Sequence, residues 1–413
     1  MKVRASAWAS DPGRRMPRNE DAVLVDDGAR VYAVVDGSGG TLPAEVCLGL
    51  LRSRAAAIEA HRARVKSQGD TTSRLAVGRF FEGLFVEASE AVRAEARRRP
   101  DQGRSAAMVI ATVLGDLAFV AHVGNARAYL WRRGALRCLT VDHTLAMQEH
   151  RKGNLTAEEV GTSPFRKTLT QALGLSTHVS PDIAEVRLGG GDTLVLCSDG
   201  LHNAVDERAI AAALTQNPRE DDAARALVAA ANEAGGADNV SVVVLTTAAD
   251  AADAGGVVDV ASALGDVFLF RQLSEAERLL AAPYFELQRY PPGAVLCREG
   301  EPGDSFFTIV SGSARVTHGA AHLITLGAGD HAGEISLARR GPRTATITAL
   351  TETTTLMLSR ARFVELIARR PRLGARVVMA LVENVGDRIV DLRSRLENIG
   401  RVLAGGLRGS DES

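Results

Sequence analysis

Four segments of this chain set a carboxylate at the edge of an apolar run. "VYAVVDGSGG" (31–40) ends its run on Asp36 and continues in glycines, and "PRNEDAVLV" places Glu20 and Asp21 just before a strand. "LVLCSDGL" ends on Asp199, again before glycine, and "GGADNVSVVVL" puts Asp238 ahead of another strand. Taken singly, each aspartate reads as a turn or cap residue, since Asp and Gly are common turn formers. The set reads differently. If these termini converge, like charges crowd together, which is costly unless cations neutralise them. Hard oxygen ligands suit Mg²⁺ or Mn²⁺, and two such ions sharing a bridging carboxylate can activate water for attack on phosphorus. The glycine after Asp36 lets a backbone carbonyl approach an ion closely.

A second group lies in "GEISLARRGPRTATITA" (333–349), where Glu334 and Arg343 flank a Gly-Pro turn ahead of an alternating strand. Alone this is a surface turn with an incidental ion pair, worth little. Upstream, however, Gly293, Gly300, Gly303, Gly312, Gly329 and Gly333 punctuate short strands at turn spacing. That pattern reads as a small closed β structure with tight corners.

The elements that must position these residues are spread over 413 residues, too many for one core, so two domains are expected. Apolar residues make up 46% and charged residues 24%, with a net charge of −1, which gives neither a nucleic-acid footprint nor a basic membrane surface. Cys47, Cys138, Cys197 and Cys297 are far apart and form no CxxC pair, so a reducing cytoplasm fits better than a disulfide framework or a zinc site. The start "MKVRASAWASDPGRR" lacks the apolar core of a signal peptide, and no run approaches the ~18 to 20 residues of a membrane span.

Small, turn-prone residues over 247–263 follow the strand "NVSVVVLT" and mark a boundary. The expected organisation is a first domain over 1–247, a linker over 248–262, a second domain over 263–403 and a disordered tail over 404–413. In the first, strands "AVLVDD" and "RVYAVVD" precede helices over 43–64 and 75–99. Phe81, Leu84, Phe85, Ala88 and Val92 recur at helical spacing in the latter. Three more strands, a long polar segment, "DTLVLCSDG", a helix over 206–234 and the last strand follow. The fold class expected is α+β, with two packed sheets and helices outside. Near the other end, Val378, Leu381, Val385, Ile389, Leu392, Leu396 and Ile399 step by threes and fours. A helix packed on its own barrel and a homodimer helix explain that stripe equally well. No helix-turn-helix follows, which disfavours a transcription factor.

"RNED", "VVDGSGG", "CSDGL" and "GGADNVSVVVL" occur in the order and spacing of the type 2C metal-dependent serine/threonine phosphatases. "VAHVGNARAYLWRRG" and "SPFRKTLTQALGL" resemble the bacterial branch of that family. The resemblance covers residues 3–247 and implies an α-β-β-α four-layer sandwich with two Mn²⁺ or Mg²⁺ ions at one edge. It implies that Asp36 bridges both ions, that the Gly37 carbonyl binds one, and that Asp199 and Asp238 complete the other shell. Asp21, with Glu20 acting through water, would contribute from the first strand. The implied substrate is a phosphoserine or phosphothreonine protein, opposing a serine/threonine kinase, with no covalent phosphoenzyme. His122 and His143 read as structural residues. Residues 140–170 correspond to the family's variable flap. Three departures stand out. The family's phosphate-gripping arginine position is Met16, so flanking Arg15 or Arg18 is expected to serve. Asn125 replaces an aspartate that helps hold a third metal, which should weaken that site. Ser38 stands where some members carry a histidine as general acid.

The region 262–400 resembles the cyclic nucleotide-binding domain of catabolite activator proteins and cyclic-nucleotide-dependent kinases, a jelly-roll-like β barrel with flanking helices. There Arg343 would fork onto the cyclic phosphate, and Glu334 would accept from the ribose 2′-hydroxyl. Backbone N–H groups over Gly333, Glu334 and Ile335 favour an anion. The resemblance favours cAMP over cGMP, although the Thr344 hydroxyl is compatible with a guanine amino group. The reading is a phosphatase regulated by a cyclic nucleotide. The alternative is a catalytically weak sensor or docking protein on the same fold. No membrane or nucleic-acid partner is expected.

Overall fold

The computed structural model describes residues 3–68, 71–176, 178–248 and 258–408. They divide into two compact units, Met1–Val260 and Ala261–Ser413. Residues 249–257, most of the expected linker, and 409–413, the end of the expected tail, lie outside the described residues.

The first unit has ten strands: β1 (Val3–Asp11), β2 (Ala22–Asp26), β3 (Val31–Ser38), β4 (Ser105–Leu114), β5 (Leu117–Val123), β6 (Arg127–Arg132), β7 (Ala135–Cys138), β8 (Asp182–Arg187), β9 (Thr193–Cys197) and β10 (Val240–Thr247). They form two antiparallel sheets, ordered β1-β10-β9-β6-β7 and β2-β3-β4-β5-β8. Strand alternation explains the layers. Val31, Ala33 and Val35 of β3 pack with Phe81, Phe85 and Val92 of the helix Thr71–Arg98. The intervening Tyr32 and Val34 are fully buried on the opposite face, where β3 meets β9 and β10. On the far side, Val195, Cys197, Val242 and Val244 pack with Leu227 and Ala231. The result is the helix–sheet–sheet–helix sandwich that the sequence predicted.

Three details differ from expectation. The strand "VYAVVD" does not stop on Asp36 but pairs through Gly37 to Ser38, opposite Ser105. The helix over 206–234 is two helices, Glu207–Gln216 and Glu220–Glu233. Pro218 lies between them, and a residue before proline is pushed out of the helical region; Asn217 has ψ 83°. Strands β1 and β8 carried too many small or charged residues to stand out in the sequence.

In the second unit the described strands make two four-stranded sheets and a two-stranded one that pairs Pro302–Gly303 with Gly341–Pro342. One four-stranded sheet joins Glu286–Tyr290, Thr353–Ser359, Ser305–Ser311 and His331–Ala332; the other joins Val295–Cys297, Thr346–Ala349, Ala314–His318 and Ala321–Leu326. Ile309, Ala314, Val316, Leu326 and Ile347 form the core between them. Among the described residues this is a two-sheet, jelly-roll-like arrangement and not one continuous closed barrel. Short segments such as His331–Ala332 leave the ring of hydrogen bonds incomplete. The last helix, Pro371–Arg408, includes residues 404–408, which the sequence assigned to a disordered tail. It buries Val377, Ala380 and Leu381 and exposes Met379, Val382, Val385 and Ile389. All four cysteines are free thiols. Among the described residues no helix is long and apolar enough to cross a membrane.

Candidate functional site

Asp36 lies near the end of β3, Asp21 just before β2, Asp199 just after β9 and Asp238 just before β10. These four ends converge. The Asp199 N–H donates to Asp36 Oδ2 at 3.4 Å, and the Ser198 hydroxyl donates to Asp21 Oδ2 at 2.7 Å. Asn239 ties the loop together: its Nδ2 donates to Pro12 O and Arg18 O, and its Oδ1 accepts from the Glu20 N–H at 2.8 Å. Burial pushes the Asp21 carboxyl up to about 7, with Asp199 and Asp238 adding to the rise against hydrogen bonds from Ser198 and Ser241. Burial also drives Asp36 well above the ordinary carboxylate range, and Asp21, Asp199 and Asp238 all push in the same direction. Asp199 is raised by burial and Asp238, with Lys167 and Asn125 opposing.

Such a set of hard, mutually repelling oxygen donors fits divalent Mg²⁺ or Mn²⁺, which would remove the repulsion at once. The fit differs by residue. Glu20 points elsewhere: its Oε2 accepts from the Gly39 N–H at 2.8 Å, closing the glycine loop. A Cβ at Gly37 would lie 2.5 Å from the Glu20 carbonyl oxygen, so only glycine lets these two backbones meet. Asn125 turns its donor inward, with Nδ2 at 2.8 Å from Asp199 Oδ2. Arg15 and Arg18 are exposed, and among the described residues neither side chain makes a hydrogen bond or ion pair.

One cation reaches the cluster. Lys167 Nζ is 2.9 Å from Asp238 Oδ2. Partial burial works against its charge, yet Asp199 and Asp238 hold its pKa above the ordinary lysine value. Nothing in the sequence pointed to it: "SPFRKTLTQ" has no periodicity, and the contact spans 71 residues.

His122 and His143 stack at 4.8 Å. His122 Nε2 donates to Val141 O at 3.0 Å, and burial pushes its pKa down to about 4. His143 Nδ1 accepts from the Gly124 N–H, and its Nε2 faces Asp182 Oδ2, both at 3.3 Å. These two imidazoles and Asp182 bring ligand atoms within 4.8 Å of one another. The hydrogen bonds already occupy both His143 nitrogens and fix the Gly124–Asn125 turn, consistent with structural roles.

In the second unit, Arg343 is held in place. Its NH1 donates to Ser305 O at 2.7 Å and Ser336 Oγ at 3.3 Å, its NH2 donates to Ser305 Oγ at 2.7 Å, and it lies over Phe307. Gly333, with φ 85°, permits this: a Cβ there would lie 2.7 Å from Arg343 NH1. Glu334 is buried at the start of the helix Glu334–Ala338, whereas Ile335 and Thr344 are exposed.

Comparison with known proteins finds relatives of both units. A family model for the cyclic nucleotide-binding domain matches residues 287–370. The chain is 32% identical over 239 residues to the serine/threonine protein phosphatase PstP of Mycobacterium tuberculosis, covering 58% of this chain and 44% of that one. It therefore spans less than half the length of that relative. It is 29% identical to the protein phosphatase PhpP of Streptococcus pneumoniae, covering 57% of this chain and 95% of the relative. Among solved structures, the PPM Ser-Thr phosphatase MsPP from Mycobacterium smegmatis, in complex with cacodylate, is 31% identical with a TM-score of 0.50. That match covers 60% of this chain and all of the other. Through its first unit, the chain belongs to the PPM-type serine/threonine phosphatase family, and it carries a cyclic nucleotide-binding domain behind it.

Proposed function

We propose that this protein is a divalent-metal-dependent phosphoserine/phosphothreonine protein phosphatase whose activity responds to a cyclic nucleotide. The observation that carries the reading is the convergence of Asp21, Asp36, Asp199 and Asp238, with burial and neighbouring carboxylates raising Asp21, Asp36 and Asp199. Asp36, Asp199 and Asp238, with Asp21 behind them, would hold two Mn²⁺ or Mg²⁺ ions. Bound there, the ions would supply a water nucleophile at neutral pH and stabilise charge on the phosphoryl oxygens. Ser198 orients Asp21, Asn125 orients Asp199, and Asn239 fixes the loop that carries Glu20 and Asp21. Ser38 at the end of β3 is exposed and carries no general acid, so the leaving alkoxide takes its proton from solvent. Asn125 presents a donor where a third metal would need an acceptor, which argues for a two-ion centre.

In the second unit, Arg343 would bind the cyclic phosphate and Glu334 the ribose hydroxyl. The nucleotide is cAMP in preference to cGMP. A ligand moves activity only by favouring one arrangement of the protein over another. The substrate is a phosphoprotein modified by a serine/threonine kinase, and the exposed Val382, Val385 and Ile389 support a homodimer through the last helix. The test is hydrolysis of an aryl phosphate and a phosphothreonine peptide in Mn²⁺, with EDTA as control, across titrations of cAMP and cGMP. Metal-dependent turnover that moves with nucleotide is expected. Met16 favours a second reading, a non-catalytic sensor; no turnover by folded, metal-loaded protein would select it.

A further inference from the structure

Lys167 occupies a turn that the backbone holds on both sides. The Leu145 N–H donates to Thr168 O at 2.8 Å, the Thr168 N–H donates to Phe165 O at 3.1 Å, and the Thr170 N–H donates to His143 O at 2.8 Å. The main chain is thus pinned, while a flexible aliphatic stem carries a compact charge with three donors. The side chain is 46% exposed, so its ammonium stands where the cluster meets solvent. Among the described residues it is the one cation bonded to a carboxylate of the cluster.

We propose that Lys167 binds the substrate phosphate, in place of the arginine that Met16 replaces. This rests on the phosphatase reading above. One observation and two chemical arguments carry it. The ammonium is already at the mouth of the site, 2.9 Å from Asp238. A divalent cation held on the same carboxylate would compete with this bond, because two cations cannot share that oxygen without repulsion. Released from Asp238, the charge would be free to bind a phosphate dianion, for which charge-assisted hydrogen bonds are the strong kind. In the loop that Asn239 fixes at Pro12 and Arg18, the Arg15 and Arg18 side chains are exposed and, among the described residues, bond to no carboxylate of the cluster. A lysine grips a phosphate as a point charge and needs no fork geometry, so a turn across the site can replace a residue lost from the loop.

The experiment compares Lys167→Met and Lys167→Arg with the wild-type full chain at saturating Mn²⁺. It reads kcat and KM for a phosphothreonine peptide, competitive inhibition by inorganic phosphate, and calorimetric affinities for Mn²⁺ and for phosphate. Lys167→Met should raise KM and the phosphate inhibition constant together by about 10- to 100-fold, with a smaller change in kcat. Lys167→Arg should restore most of both. Unchanged KM and phosphate affinity in Lys167→Met overturn the proposal. So does a variant that only binds Mn²⁺ more tightly, because the lysine is then a counter-ion and nothing more. If the wild-type protein turns over neither substrate, the catalytic reading falls by itself. Phosphate calorimetry on the Mn²⁺-loaded proteins still decides Lys167, with loss of binding in the Met variant supporting it and equal binding overturning it.

Discussion

The carboxylate cluster and the arginine cassette both wait for a charged ligand, but they wait differently. At the cluster, four carboxylates face one another with a single ammonium and a few hydroxyl and amide donors between them. At the cassette, Arg343 already has three hydrogen bonds and an aromatic face. The cluster is strained without its ligand and should be stabilised by it. The cassette is complete without its ligand, so a cyclic phosphate must replace bonds to Ser305 and Ser336 that already exist. In the reading proposed above, metal at one site would relieve repulsion, and a cyclic phosphate at the other would bind by exchange.

The sharpest way to break this comparison is to remove one charge from each site and ask for opposite signs. Asp36→Asn should lower metal-dependent turnover by at least about 100-fold. The same change should raise the thermal midpoint of the EDTA-treated protein, because it deletes the most crowded carboxylate. An unchanged or lower midpoint would refute the crowding argument. Arg343→Ala should do the reverse to stability. It strips the donors from Ser305, which is buried, and should destabilise the second unit by about 1 to 3 kcal/mol in denaturant unfolding. It should also weaken nucleotide binding by about 10-fold or more.

A smaller effect should appear in pH. The folded protein holds Asp21 at about 7 against an ordinary 3.8, so in metal-free protein this group favours folding at low pH and that contribution is lost as pH rises to about 7. The buried His122 and the half-buried His202 work the other way. Both are pushed down to about 4 by burial, so their contribution is present above an ordinary 6.5 and lost as pH falls toward 4. With EDTA the two trends oppose, and the thermal midpoint should change little between pH 7 and 5. With Mn²⁺ bound, the cluster stays ionised and the midpoint should fall on acidification. Parallel curves in EDTA and Mn²⁺ would show that the cluster is not what the metal relieves. The smallest effect belongs to Thr344→Ala, where the cGMP-to-cAMP affinity ratio should drop a few-fold while cAMP affinity holds.

The aspartates were legible because each sits at the edge of an apolar run, and four such carboxylates together need a reason. The sandwich was legible from strand alternation and from the Phe81–Val92 helical face. Gly333 and Arg343 could be read from their spacing, although the reason for the glycine, the guanidinium lying against it, needed coordinates. Lys167 and Asn239 were not legible. Each acts across the fold, from a polar segment or a motif position with no pattern of its own. The helix break at Pro218 was written in the sequence, but the apolar period on both sides masked it.

The pairing of β1 with β10 sets a condition on biosynthesis. Val3 pairs with Thr247 and Asp11 with Val240, so the first and last strands of this unit lie side by side. Asn239, just ahead of β10, fastens the loop that carries Glu20 and Asp21. During translation the chain must therefore hold its first segment unpaired until residue 247 has left the ribosome. Until then the apolar β9 edge is open and the acidic centre lacks Asp238. Such sequence-distant pairing makes folding slow and leaves nascent chains exposed to aggregation. A ribosome stalled before residue 238 would carry a chain that has neither the β1–β10 pairing nor the Asn239 contacts that tie down the loop bearing Glu20 and Asp21.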